Sequence, residues 1–252
     1  MEDGASSKAS LQEALGKDLL AYCEKYDIPV DRVFEILEDQ KVLPMLRGKA
    51  TEYNGTAALE SLLNKVEWQV NKLNPNPQPN RPDEDIEIIH RKTKTSIVVE
   101  TKNAVRGSMT TGLRCRIIRE PHFKVKSHRS RSNLQKAATS NDRYAADTWD
   151  VLISNPYNAI IKGGTSGRNF ELIDKDGILE VLYDHYGVST SDELSRAASK
   201  DWRFVLPVDI AEDGFIPRTP SVLLSQDPNW HPLDQLQEHL EAIVRGKGQR
   251  RS

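Results

Sequence analysis

Cysteine is nearly absent from this chain, aromatic residues are few, and no apolar run is long enough to cross a bilayer. Cys23 and Cys115 are the only cysteines in 252 residues. Two are too few for a disulfide framework or a cysteine zinc site, and they suit a reducing cytoplasm. Neither sign of charge dominates, since 35 Lys and Arg face 37 Asp and Glu for a net charge of -2. Bulk charge therefore says nothing about nucleic acid. His90, His122, His128, His185, His231 and His239 show no H-E-x-x-H or Cys/His ligand spacing, and neither a G-x-S-x-G elbow nor a dinucleotide fingerprint is present. Ile160–Arg168 is rich in glycine but lacks the Gly-Lys-Ser/Thr ending of a phosphate loop, so it reads as a turn between strands. The first ten residues have neither a basic region nor an apolar core, and no signal peptide is expected. What remains is a polar chain, 37% hydrophobic with mean hydropathy -0.60, that can bury one sizeable core and has no membrane partner.

Asp83–Lys102 carries the chemistry. Asp85-Ile86-Glu87-Ile88-Ile89 alternates acid with apolar residues, which at the strand period of two puts Asp85 and Glu87 on one face and Ile86 and Ile88 on the other. His90 to Thr95 is a polar connector suited to a hairpin turn. Ser96-Ile97-Val98-Val99-Glu100-Thr101-Lys102 is a β-branched run, so Glu100 and Lys102 share a face. Pairing the two strands antiparallel brings an acid of the first close to Glu100. Two carboxylates and a lysine at a strand end suit Mg2+-assisted phosphodiester hydrolysis.

The order of acid, gap and Glu100-Thr101-Lys102 resembles the PD-(D/E)XK nuclease superfamily, which includes many type II restriction endonucleases. The first acid has two candidates. Pro82-Asp83 matches the written motif, whereas Asp85 opens the alternating strand, as the family acid does; Asp85 is favoured and Asp83 kept as the alternate. The resemblance implies an αβββαβ core around a central mixed sheet, and catalysis by Asp85, Glu100 and Lys102. Asp85, Glu100 and the Thr101 carbonyl would hold Mg2+, and Lys102 would orient the attacking water. Arg47-Gly48-x-x-x-Glu52 is similar to the family helix that carries a further acid, which makes Glu52 a candidate as well. Glu52 also falls in the first turn of a helix expected from Ala50 to Leu63, where the helix dipole alone would favour a carboxylate. Ala57, Ala58, Leu59, Leu62 and Leu63 give that helix its apolar face, and Gly48 is expected to admit a neighbouring backbone.

The flanks complete the order. Residues 1–9 read as a tail and residues 10–40 as a helical hairpin capped at Ser10 and faced by Leu11, Leu15 and Leu19, so residues 1–46 are expected to pack or dimerise and residues 47–252 to form the nuclease-like domain. Val66–Leu73 alternates as a strand, Ser132–Ala146 reads as a helix and Trp149–Ser154 as a buried strand. Farther on, helices are expected over Ile178–Tyr186, Ser191–Ser199 and His231–Val244, and a strand over Trp202–Val208. Past Lys102 the charge changes. Arg106, Arg114, Arg116, Arg119, Lys124, Lys126, Arg129 and Arg131, interleaved with short donors such as Asn133, are accompanied by Glu120 alone among acids. Duplex DNA presents one charge per ~1.7 Å of axis, and such a patch suits it. The expected function is a site-specific, Mg2+-dependent endonuclease acting on double-stranded DNA as a homodimer in the cytoplasm. The alternatives are a structure-specific or repair nuclease of the same superfamily and a non-catalytic DNA-binding module.

Overall fold

Thr95–Thr101 is the strand on which the rest is hung, and its alternation decides both faces of the sheet. The computed structural model describes residues 3–73, 84–112, 120–129, 141–162, 171–173, 175 and 177–249, with side-chain burial from 12 to 247. Within it, β1 (Trp68–Lys72), β2 (Ile86–His90), β3 (Thr95–Thr101), β5 (Val151–Ser154), β6 (Arg203–Val205) and β8 (His231–Pro232) form one mixed sheet in that order. A short sheet of β4 (His122–Lys124) and β7 (Ser221–Leu223) accompanies it. β1, β2 and β3 are antiparallel, while β5 runs parallel to β3 with Glu100 beside Leu152. The protein is thus mixed α/β around a central mixed sheet.

Ile86, Ile88, Ile97 and Val99 are fully buried on one face, where α3 (Val42–Leu62) contributes Leu59. The C-terminal helix α7 (Leu236–Gln249) closes the same face with Leu236, Leu240 and Val244. Leu152 and Val205 face the other way, into a cluster with Ile178 and Leu182 of α4 (Ile178–Tyr186) and Leu194 and Ala198 of α5 (Ser191–Lys200). Each fully buried branched side chain is worth about 1.5–3 kcal/mol, so these two layers fix the register of β3 between them. Glu100 and Leu152 are register partners, which puts a carboxylate among the apolar residues of the second layer.

Several boundaries differ from expectation for identifiable reasons. Met1–Arg47 belongs to one compact unit, and Gly48–Thr165 with Phe170–Ser252 to a second. In the first unit α1 (Asp3–Lys25) begins near the chain start, in place of a tail, because adding residues to a nucleated helix costs far less than nucleating one. Ser10 is therefore interior to the helix, and the second helix expected in the hairpin is the short α2 (Val33–Glu38). Leu15, Leu19, Leu20 and Tyr22 of α1 are exposed, whereas Cys23 is buried. The helix expected from Ala50 begins at Val42, with Pro44 tolerated in its first turn, and Glu52 lies well inside it. Ala57, expected on the apolar face, is exposed.

Downstream, Thr190 and not Ser191 caps α5, through a reciprocal capping box with Glu193. The strand expected over Trp202–Val208 stops at Val205 because Pro207 opens the one-turn helix α6 (Pro207–Ile210). The helix expected from His231 starts at Leu236, after His231 and Pro232 have added an edge strand where a missing N–H is harmless. Of the helix expected over Ser132–Ala146, residues 141–146 are not helical and make bridges from Arg143 to His128 and from Ala145 to Phe215; the remainder lies outside the described residues. The glycine turn after Lys162 and Cys115 lie outside them too. Among the described residues no helix is long and apolar enough to cross a membrane.

The glycine that matters for close packing is Gly55, not Gly48. A Cβ on Gly55 would come within 2.8 Å of Thr101 Cγ2 and 3.1 Å of Ile153 Cδ1, so α3 rests directly on the strand end that bears the site. At Gly48 nothing lies within 4 Å. Gly55→Ala is expected to lower unfolding stability by about 1–3 kcal/mol through overpacking, whereas Gly48→Ala should raise it by about 0.5–1 kcal/mol through helix propensity. Urea denaturation of the two variants checks both signs.

Candidate active site

The antiparallel register of β2 and β3 pairs Ile86 with Val99, and one step further Asp85 comes opposite Glu100. Lys102 follows two residues on, and its Nζ donates to Glu100 Oε1. Asp85 Oδ2 accepts from the Thr101 N–H at 3.0 Å and from Thr101 Oγ1 at 2.7 Å, which fixes the carboxyl against the end of β3. Asp85 is 7% exposed and Glu100 3%. The second oxygen of Glu100, Oε2, is buried without a hydrogen-bond partner among the described residues.

Glu52 reaches the same place from the interior of α3. Its Oε2 accepts from Lys72 Nζ at 2.8 Å and from Lys49 Nζ at 2.7 Å. The first-turn explanation for this acid does not apply, because the helix dipole acts within the terminal turn. Lys72, the last residue of β1, also donates to the carbonyls of Leu73 at 2.8 Å and Asp85 at 3.1 Å. Its three donors therefore tie α3 to both ends of the segment between β1 and β2, and through the Asp85 backbone they hold the acid in register. Thr51 Oγ1, next to Glu52, donates to Asn103 Oδ1, which also receives Asn158 Nδ2 at 2.6 Å. The strand end is pinned from α3 and from the turn after β5.

Electrostatics follow from this crowding. Burial, the largest effect, lifts the Asp85 carboxyl above its ordinary range; the Thr101 hydroxyl bond opposes it, and the Glu52 charge adds to it. Glu100 is pushed up to about 8, chiefly by burial, against the pull of Lys102 and with a further push from Asp85. Burial alone would lower the Lys102 ammonium, but the charge and hydrogen bond of Glu100, with Tyr144 and Asp85, outweigh it and hold Lys102 above its usual value. Burial favours the protonated form of both carboxyls despite the lysine beside them.

Among the described residues no group of three or more His, Cys, Asp and Glu side chains is arranged to hold a metal ion by itself. The donor set nevertheless fits a hard divalent cation that keeps several waters. Two raised carboxyls adjoin, and one presents a buried oxygen with no partner. Asp85 and Glu100 are the carboxylates that would hold it, with the Thr101 carbonyl as the further ligand the motif implies.

The structure brings Glu52, Asp85, Glu100, Thr101 and Lys102 together. Asp83, Arg114, Arg116, Arg119, Arg131 and Asn133 lie outside the described residues. Lys124, which ends β4, and Lys126 are exposed and alternate with buried Phe123 and Val125; Val125 bridges Ala104, so they flank the chain as it leaves Lys102. Arg106 donates to the Lys162 carbonyl at 2.8 Å. Arg129 turns inward, giving Nη1 to the carbonyls of Asn141 at 3.2 Å and Arg143 at 2.7 Å. Sequence reasoning missed Lys72, Tyr144 and Trp149. Lys72 sits at a strand end on an alternating pattern, and no spacing connects the two aromatics to Lys102. No family model, curated protein or solved structure matches this chain.

Lys72 has 14% of its side chain exposed and Lys49 59%, which separates their energetic roles. Lys72→Met is expected to cost about 1–3 kcal/mol, since it leaves a mostly buried carboxylate with only the exposed Lys49 and takes the donor from two carbonyls. Lys49→Met should cost under about 1 kcal/mol, as for an exposed pair. Equal losses in urea unfolding would contradict this assignment.

Proposed function

We propose that this protein is a Mg2+-dependent endonuclease that hydrolyses phosphodiester bonds of double-stranded DNA at specific sites, in the manner of type II restriction enzymes, and acts in the cytoplasm. The observation that carries the reading is the buried Glu100, with one oxygen on Lys102 and the other without a partner among the described residues, beside Asp85 at the end of a central strand. The run of α3, β1, β2, β3 and a parallel β5 supports a restriction-endonuclease-like core.

Bound Mg2+ supplies positive charge for the scissile phosphate and a water of lowered pKa. Asp85 and Glu100 hold their carboxylates on one face of the strand end, with Thr101 fixing Asp85. Lys102, charged and seated on Glu100, donates to the attacking water and offsets charge that grows on the phosphoryl oxygens. Glu52 braces the set through Lys72. The exposed Lys124 and Lys126, with Arg106 and the arginines farther along the segment, give the DNA backbone its cationic partners. Cutting both strands at one site needs two centres related by the DNA dyad, and a homodimer through the exposed leucine face of α1 supplies them.

Plasmid or phage DNA incubated with the protein and Mg2+ should yield discrete bands. Lys102→Ala and Asp85→Asn should each lose about 100-fold or more in cleavage rate while still shifting DNA in a gel, and Asp83→Asn should keep most of its activity. Full activity in Lys102→Ala would overturn the site. Cutting confined to damaged or branched DNA would favour a repair nuclease, and binding without cutting under any divalent metal would favour a non-catalytic module.

Cation binding has its own signature. A protonated Glu100 cannot ligate, so the cation must displace a proton from a carboxyl held at about 8. Affinity for Mg2+ or Mn2+ should rise with pH by up to about tenfold per unit below that value and level off above it. Calorimetric titration in two buffers of different ionisation enthalpy reads the released proton. Glu100→Gln should abolish the pH dependence, and a flat profile in wild type would count against the carboxylate pair as a metal site.

A further inference from the structure

Two aromatic rings close on Lys102, an arginine packs on one of them, and the proposed chemistry makes no use of the three. Lys102 Nζ stands 5.2 Å from the ring centroid of Tyr144 and 5.0 Å from that of Trp149. The two rings pack on each other with centroids 4.4 Å apart at a tilt of 50°. Tyr144 is 8% exposed and Trp149 4%, in a cluster with Ile216 against which Val98 packs. Val98, Glu100 and Lys102 lie on the same face of the strand line, so the rings occupy that face beside the carboxylates. At this burial the rings are not a platform for a nucleobase. Their faces are turned to cations of the chain itself.

The cluster is held on several sides. The Arg129 guanidinium lies 4.5 Å from the Tyr144 centroid, with Nη1 bonded to the carbonyls of Asn141 and Arg143. The Ile216 N–H donates to the Tyr144 carbonyl at 2.8 Å. Asp150, next to Trp149, takes the Val98 N–H at 2.8 Å and the Lys247 ammonium at 2.7 Å, which ties the tryptophan to β3 and to α7. A cation within about 6 Å of a ring centroid is drawn to the ring face, most strongly when water is excluded. A lysine on its long, flexible stem would otherwise sample many positions.

We infer that Tyr144 and Trp149 are positioning residues, an aromatic seat locked by Arg129 that holds the Lys102 ammonium at Glu100, where the attacking water and the phosphate must meet. The catalytic consequence rests on the nuclease reading; the seat itself rests on the geometry. Rings that only fill a core would leave the turnover step insensitive to which apolar side chain fills the space.

Full-length protein labelled with 13C-lysine, with Lys102 assigned through Lys102→Arg, tests the seat without any activity. Ring currents should move the Lys102 ε-methylene protons upfield of the other lysines. Tyr144→Leu or Trp149→Leu should move them back, and Tyr144→Phe should keep most of the shift. An ordinary lysine position in wild type overturns the inference whatever the protein cleaves. In DNA cleavage, Tyr144→Leu and Trp149→Leu should each lower kcat on the order of tenfold with little change in KM for DNA, and Tyr144→Phe and Trp149→Phe should recover most of the loss. Wild-type kcat in folded leucine variants overturns the positioning role. If circular dichroism shows the leucine variants unfolded, the wild-type shift and the phenylalanine variants still decide. A wild type that cuts no DNA defeats the nuclease reading, and the catalytic consequence with it, while the lysine shift continues to decide the seat.

Discussion

A carboxylate inside a sheet has to be answered by positive charge, and in this protein the answer to Glu100 organises everything near it. Glu100 is on a central strand, 3% exposed, with Leu152 as its parallel neighbour. Removing a carboxylate from water costs several kcal/mol even after the structure relaxes. The strand period supplies the first compensation, since Lys102 two residues on shares the face and donates to Oε1. It also supplies the problem, because the same alternation in β2 delivers a second acid opposite the first. Burial raises both carboxyls, the Asp85 charge adds to the rise at Glu100, and Glu100 Oε2 is buried without a partner among the described residues. A fold selected for stability alone would place an apolar residue at Glu100. An external cation, as proposed for the site, would supply the compensation that Lys102 alone does not.

The surrounding elements can be understood as devices that keep the pair from escaping this conflict. Gly55 lets α3 touch Thr101 and Ile153, so the strand end cannot lift away from the helix. Lys72 spends all three donors on Glu52 and on the backbone at Leu73 and Asp85, which prevents the second acid from swinging outward. Thr101 holds the same acid by its hydroxyl and its N–H. Asp150 receives both a β3 N–H and Lys247 from α7, and α7 in turn covers the apolar face of the same strands. Two layers of core thus clamp a strand whose polar end would by itself prefer water, and this is how a mostly apolar fold sustains a local charge imbalance.

What could be read from the sequence, and what could not, divides by range. The alternation of Asp85–Ile89 and the β-branched run into Glu100-Thr101-Lys102 are local signals with a period of two, and the hairpin they imply forms with its faces as expected. Ile178–Tyr186 follows from helical spacing and closes on a glycine at positive φ. Boundaries were less legible, because they depend on competing neighbours: Pro207 ends a strand early, and Thr190 captures Glu193 one residue before the apparent cap. Long-range partners left no trace at all. Nothing in the order of residues connects Lys72 to Glu52, twenty positions earlier, or Tyr144 and Trp149 to Lys102, because those contacts exist only once β3, β5 and the segments between them have paired. A helix drawn eight residues too short also misplaced Glu52 in a first turn, where the dipole would have explained it away.

Composition concealed a division of labour among the cations. The sequence after Lys102 looks like one basic patch, yet the described members have different tasks. Arg129 lies over the Tyr144 ring, which Lys102 also approaches, and Arg106 donates to the Lys162 carbonyl. Lys124 of β4 and Lys126 just after it are exposed, and alternate along the chain with buried Phe123, Val125 and Ser127. An inward cation is fixed by its partners and acts on the group it touches. An outward one is free to follow a phosphate, and its effect weakens as salt rises. The short strand pairing at Ala104 and Val125 joins the two sets, because it lays the outward lysines against the chain only two residues beyond Lys102. A polyanion drawn to Lys124 and Lys126 would therefore arrive beside the buried Asp85 and Glu100, and a cation held there, as proposed, would at the same time relieve their repulsion of its phosphates.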